Sequence, residues 1–143
     1  MEQKEQLSQL GIEVFLPTYL SAGTKIGRFE AYRKKNLQDI TDYSFYRIEY
    51  TGADNTCIEA GSGYQSMWID NPSKTQIETK VGVVEVSSGI HSRSGILQYW
   101  GQIRKIPNGQ SVITGGKSAA GACNPISSEE YNKVLQSLEV IKE

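Results

Sequence analysis

The sequence has one histidine, two cysteines, four prolines and no apolar run approaching the ~20 residues of a membrane-spanning helix. Each scarcity excludes something. With His91 alone, a histidine-built metal site or a Ser-His-Asp triad has to pass through a single ring. His91 sits in a Ser/Gly stretch with no H-x-x-H, H-x-E or neighbouring cysteine, so it reads as a solvated loop residue. Charge of one sign is also lacking: 15 Lys and Arg against 16 Asp and Glu give a net -1, with a pI ≈ 5.9. A nucleic-acid binder needs a basic face and a lipid-surface anchor needs a lysine cluster, and this balance argues against both. The first residues, Met1 to Glu5, are charged and lack the apolar core of a signal peptide. Either the protein works in the cytosol or its leader has been cut away ahead of Met1. A phosphate loop fails on spacing. Gly116, Lys117 and Ser118 match its tail, but Ser111 stands where the first glycine belongs, which leaves a turn. No cofactor motif is present.

What is abundant is glycine and tyrosine, fourteen and eight respectively, a balance that fits strands and tight turns better than a helical bundle. At 143 residues the chain suits one domain, and such a chain buries roughly 68–70% of its unfolded surface. Residues 1–11 read as a polar, partly disordered arm with Leu7 and Leu10 as its apolar residues. Residues 12–122 read as mainly β. Strand patterns fall at 25–33, 43–50, 56–60, 64–69, 75–86, 97–103 and 111–114. Gly82 allows a bulge or a turn within the fifth, and 87–95 reads as a mobile loop. Residues 124–142 predict a capped amphipathic helix. Ser127 and Glu130 have capping-box spacing, and Tyr131, Val134, Leu135, Leu138 and Ile141 form one apolar stripe. Without crossover helices, successive strands favour an antiparallel meander. The expected fold is therefore α+β: an antiparallel meander sheet of about six or seven strands, with the C-terminal helix packed on one face.

Candidate chemistry is sparse. Glu49, Glu59, Glu78 and Glu85 lie on strands and offer a carboxylate pair for a small hydrolase, although alternating charge is also what an exposed sheet face looks like. Tyr46, Tyr50, Trp68, Tyr99 and Trp100 are mostly core candidates; left uncovered, they would form a binding face for a protein or small-molecule ligand. Space between helix and sheet would make the protein a carrier of an apolar ligand. Cys57 and Cys123 are either two independent buried thiols or one disulfide.

Leu16-Pro-Thr-Tyr-Leu-Ser-Ala-Gly resembles an L-P-x-Y-L-P-x-G-[FY] opening, and Ile126-Ser-Ser-Glu-Glu with Val134-Leu-Gln-Ser-Leu resembles an I-S-x-x-E-A…V-x-x-S-L ending. With Tyr46-Arg-Ile-Glu-Tyr and Asn55-Thr-Cys-Ile-Glu-Ala between them, residues 14–141 are similar to a family of uncharacterised exported bacterial proteins, notably cyanobacterial. That family resembles the extracytoplasmic domains of membrane-anchored and sigma-factor-associated proteins. Ser21 and Thr24 depart from the opening, where the family has a proline and an aromatic. The resemblance implies a periplasmic or cell-surface location after export, the alternative being cytoplasmic. It also implies that Cys57 and Cys123 are paired. It implies no catalytic residue and no cofactor, so a non-enzymatic binding, sensing or accessory domain is expected.

Overall fold

The computed structural model describes residues 2–10, 12–35, 42–63, 69–93, 95–106, 109–118 and 121–141. In chain order these form α1 (Glu2–Ser8), β1 (Val14–Pro17), β2 (Lys25–Lys35), β3 (Asp42–Thr51), β4 (Cys57–Gly63), β5 (Ser73–Thr79) and β6 (Gly82–Ile90). There follow β7 (Leu97–Ile106), β8 (Gly109–Gly115), β9 (Lys117–Ser118), β10 (Gly121–Ala122), α2 (Ser128–Gln136) and β11 (Leu138–Ile141). Residues 64–68 of the strand expected at 64–69 lie outside the described residues, as do 107 and 108 of the Pro107-Asn-Gly turn signal.

Seven strands make one antiparallel sheet in the order β2-β3-β4-β8-β7-β6-β5. Two runs of sequence-adjacent strands, β2-β3-β4 and β5-β6-β7-β8, make it up, with the chain crossing from β4 to the far edge and returning through β8 to pair with β4. Local turn chemistry makes the hairpins. Between β3 and β4, Gly52 N–H donates to Thr56 O, and Asp54 Oδ1 accepts from the Thr56 N–H and hydroxyl. Asn55 takes a positive φ of 62° there, a conformation asparagine tolerates. Between β5 and β6 the chain turns rather than bulges. Gly82 sits at φ 120°, and the Thr79 hydroxyl donates to Gly82 O. β6 continues through Ile90, so much of the stretch expected as a mobile loop is strand.

Strand alternation gives the sheet two unlike faces. One carries Tyr46, Ile48 and Tyr50 of β3, Ile58 of β4, Ile113 of β8 and Val84 and Val86 of β6, all buried. These belong to one core cluster with Leu7, Leu10, Val14, Phe15, Ile126, Tyr131, Val134, Leu135 and Leu138. The arm at the start is thus a helical turn anchored by Leu7 and Leu10, three residues apart and both nearly inaccessible.

The C-terminal helix starts where the capping box puts it. Ser127 has extended dihedrals and its hydroxyl accepts from Glu130 N–H at 3.1 Å. It ends earlier than the apolar stripe suggests. Ser137 is the C-cap, and Leu138–Ile141 leaves as a strand paired antiparallel with β1, Val14 opposite Ile141 and Pro17 opposite Leu138. Two causes are visible. Val140 and Ile141 are β-branched, and Thr18 N–H and Oγ1 both donate to Ser137 O, taking a carbonyl at the helix end. Leu138 is buried as a strand residue, and the helical stripe also expects it buried, so the stripe alone could not distinguish the two. Pro17 occupies the last position of β1, where a missing N–H is tolerated.

Tyr131 makes the most specific contact between α2 and the sheet. Its hydroxyl donates to Ile113 O at 2.6 Å, and its ring stacks on Tyr99 with centroids 4.7 Å apart. Glycines make the room. A Cβ on Gly101 would lie 2.6 Å from the Tyr131 hydroxyl, and one on Gly115 would lie 3.2 Å from the Tyr131 ring and 2.8 Å from Ile126. Leu135 is fully buried beside this contact. Leu135→Ala should therefore cost about 2–5 kcal/mol in urea unfolding. A loss below about 0.5 kcal/mol, a surface-like effect, would mean that the helix does not bury this residue.

Candidate functional site: the outer face of the sheet

The second face is where the chain places its charge. Cross-strand pairing aligns Arg28 with Glu49, Glu30 with Arg47 and Tyr32 with Phe45 between β2 and β3, then Glu49 with Glu59 and Arg47 with Gly61 between β3 and β4. The rows continue through Thr114 and Val112 of β8 to Trp100 and Gln102 of β7. Burial divides this face. From β4 inward it is closed: Glu59 is 7% exposed, Thr114 3% and Trp100 7%. Towards β2 it opens, with Tyr32 at 45%.

At the boundary runs a ladder of alternating charge. Arg28 Nε lies 3.1 Å from Glu30 Oε1, Glu30 Oε2 lies 4.0 Å from Arg47 Nη1, and Arg47 Nε lies 3.3 Å from Glu59 Oε1. The Arg47–Glu59 contact is an ion pair that is misaligned as a hydrogen bond, so the buried Arg47 Nε–H is left with an unused donor. The guanidinium also stacks over Phe45, 5.2 Å from the ring centroid, while Phe45 stacks on Tyr32 at 5.0 Å. Deeper in, the Thr114 hydroxyl is buried without a hydrogen-bond partner.

The four strand glutamates separate into two groups. Glu49 and Glu59 face each other directly across β3 and β4, both nearly buried. Glu78 and Glu85 lie on β5 and β6, on the same face but towards its opposite edge, exposed. The aromatic residues do not share one face. Tyr46, Tyr50 and Tyr99 point to the helix side and Trp100 to the other, because neighbours along a strand alternate; Trp68 lies outside the described residues. Tyr46 and Trp100 are buried, so neither offers an open surface. Burial pushes the Tyr46 hydroxyl up to about 12, although Phe15 N–H donating to its oxygen pulls the other way. Burial, and Tyr46 nearby, push Tyr50 up to about 12. Burial raises Tyr131 further, with Tyr99 beside it.

Cys57 and Cys123 form a disulfide with Cα atoms 6.0 Å apart. It is reinforced at the next residue, where Asn124 N–H donates to Asn55 O and Asn124 Nδ2–H to Asp54 O. Next to it a cleft lined by Leu20, Thr24, Tyr50, Ile126 and Glu130 encloses ≈ 20 Å³, room for about one water and too little for an organic ligand. His91 shapes its own turn, its Nδ1 accepting from Arg93 N–H. Among the described residues no group of three His, Cys, Asp or Glu is placed to hold a metal, and no helix is long and apolar enough to cross a membrane. Comparisons with protein-family models, with curated proteins and with solved structures return no match.

Two stability measurements follow from these geometries. In the unfolded chain tyrosines ionise near ~10, whereas Tyr46 and Tyr50 hold their protons to about 12 when folded. Their contribution is complete below the unfolded value and is lost as pH rises through the folded one. The urea midpoint should therefore hold steady up to pH ~10 and fall between ~10 and ~12; a midpoint unchanged across that window would show the phenols to be solvated. Thr114→Val replaces an unpartnered buried hydroxyl by a methyl of similar size. It should be neutral or stabilising by up to about 1 kcal/mol, and a clear loss would reveal a partner for that hydroxyl.

Proposed function

We propose that this protein is an exported, non-enzymatic binding, sensing or accessory domain that works in the periplasm or at the cell surface. The observation that carries the reading is the disulfide between Cys57 and Cys123. Disulfides persist in oxidising compartments and are rare in a bacterial cytosol. By the chain-entropy account a loop of this length stabilises by roughly 4 kcal/mol. The resemblance of residues 14–141 to exported bacterial proteins points the same way. In this reading the C-terminal helix packs on one face of the sheet as a structural layer, and recognition falls to the margin of the other face.

A hydrolase is the second reading, and the direct opposition of Glu49 and Glu59 favours it. Opposed strand residues stand ~4.5–5.5 Å apart at Cα, so two glutamates on one face can bring their carboxyl groups within reach of the ~5–5.5 Å used by retaining glycosidases. Against it, both carboxylates are buried, so a glycosidic bond has no path between them in this conformation. The binding reading is therefore preferred.

The test is thiol labelling of acid-quenched protein taken from its native cell fraction, with intact mass read before and after reduction. No label before reduction and two after it is the expected result. Two labels before reduction would overturn the exported reading.

A further inference from the structure

We propose that the free edge of β5 pairs antiparallel with the same edge of a second copy of this chain, in the register centred on Gln76. This goes beyond the binding reading and does not depend on the compartment. The sheet ends in β2 on one side and β5 on the other, and among the described residues no strand pairs with the outer edge of either. Open edges invite pairing with another chain, and proteins blunt them with bulges, lysine and proline. β2 is blunted. Its register shifts between Ile26 and Arg28, and Lys25 and Arg28 stand exposed beside that shift. β5 is not. Its 7 residues pair with β6 from Ser73 opposite Ser88 to Thr79 opposite Gly82 without a shift, and it contains no proline or glycine. Ser73, Lys74, Thr75, Gln76 and Glu78 are exposed. Thr75, Ile77 and Thr79 are β-branched and favour the extended chain.

The backbone of this edge is ready to pair. Glu78 O accepts from Gln136 Nε2–H at 2.8 Å, so the backbone groups of Glu78 point away from β6, and by alternation so do those of Gln76 and Lys74. A carbonyl has two lone pairs, which leaves Glu78 O able to accept again. Two copies related by a two-fold axis at Gln76 then exchange backbone hydrogen bonds between their Gln76 residues, and between Lys74 of each and Glu78 of the other. The side chains agree with the backbone. Lys74, Gln76 and Glu78 share the outer face, so this register sets an ammonium opposite a carboxylate twice, with the two Gln76 amides between them. Thr75 and Ile77 meet on the helix side, where Ile77 already packs against the core. The neighbouring registers fail. Centred on Ile77, Lys74 faces Lys80; centred on Thr75, Glu78 faces Pro72, which has no N–H to give. One register alone uses the whole strand and matches its charges. A single strand pair is small beside the ~800 Å² that each partner of a stable complex buries, so the dimer is reversible and concentration-dependent.

The experiment is sedimentation velocity on the full, disulfide-bonded chain over a rising concentration series. A monomer of 15.9 kDa in equilibrium with a dimer, and no larger species, is expected. Gln76→Pro should abolish the dimer and leave the fold intact, since the N–H it removes points away from β6. Lys74→Glu sets carboxylates opposite each other at both ends of the strand pair and should weaken the dimer by about tenfold. Glu78→Lys should do the same with ammonium groups, and the double variant Lys74→Glu/Glu78→Lys should restore the dimer. Arg28→Glu, on the blunted edge, should leave it unchanged. Circular dichroism of each variant confirms that it is folded, and the charge variants decide the matter if Gln76→Pro does not fold. Monomer alone up to about 1 mM overturns the proposal, since a Kd of ~1 mM would still pair half the chains there. A dimer that survives folded Gln76→Pro overturns it too, as does one that the double charge variant fails to restore. Growth beyond the dimer also overturns it, because a two-fold edge contact closes on itself.

Discussion

The contact on which the helix side of this protein depends is that of the Tyr131 side chain, and two glycines make room for it. Gly101 and Gly115 lie on neighbouring strands, and the Tyr131 ring occupies the space their missing side chains leave. The ring can then stack on Tyr99 while its hydroxyl reaches Ile113 O. A phenol this deep costs free energy unless it is hydrogen-bonded, so the contact holds orientation as well as distance. Val134 and Leu135 follow Tyr131 into the core, and the β11 strand that continues the helix meets β1 over the same surface.

The sequence made the local elements legible and left their assembly hidden. The capping box at Ser127 and Glu130 marks the helix start because capping is a matter of residues three apart. The hairpins around Gly52 and Gly82 are legible for the same reason. The end of the helix was not: Leu138 satisfies a helical stripe and a strand equally, and what decides is a partner, β1, more than a hundred residues away. The β4-to-β5 crossing also depends on contacts distant in sequence, where β8 returns to β4, and no turn signal announces it. The Cys57–Cys123 pairing, implied by the family resemblance, is present in the structure.

The outer face shows a different limit. Alternating Arg28, Glu30, Arg47, Glu49 and Glu59 look in sequence like any solvated strand surface. Only the register between β2, β3 and β4 turns them into a ladder, bringing Glu30 to Arg47 and Arg47 to Glu59. Alternation itself was readable, and it separates Tyr99 from Trp100 onto opposite faces. The five aromatic residues therefore never had a common surface to share. Tyr32 and Phe45 did, and the signal that could have paired them was their offset in the antiparallel hairpin.

The ribbon of β1 and β11 places Val14 beside Ile141, so once α1 has been drawn from the core the chain leaves the fold from one place at both ends. Tension applied through those ends would load the ribbon in a peeling geometry, in which backbone bonds break one at a time rather than together. The ribbon is then the mechanical weak point, but the damage is bounded. Once the chain has unravelled inward to Cys57 from one side and Cys123 from the other, the covalent bond carries the load. The chain between them, which holds β4 through β10 apart from the bonded residue itself, feels no pull. Under tension the chain would thus have two extensible flanks, residues 1–56 and 124–143, around a force-shielded middle.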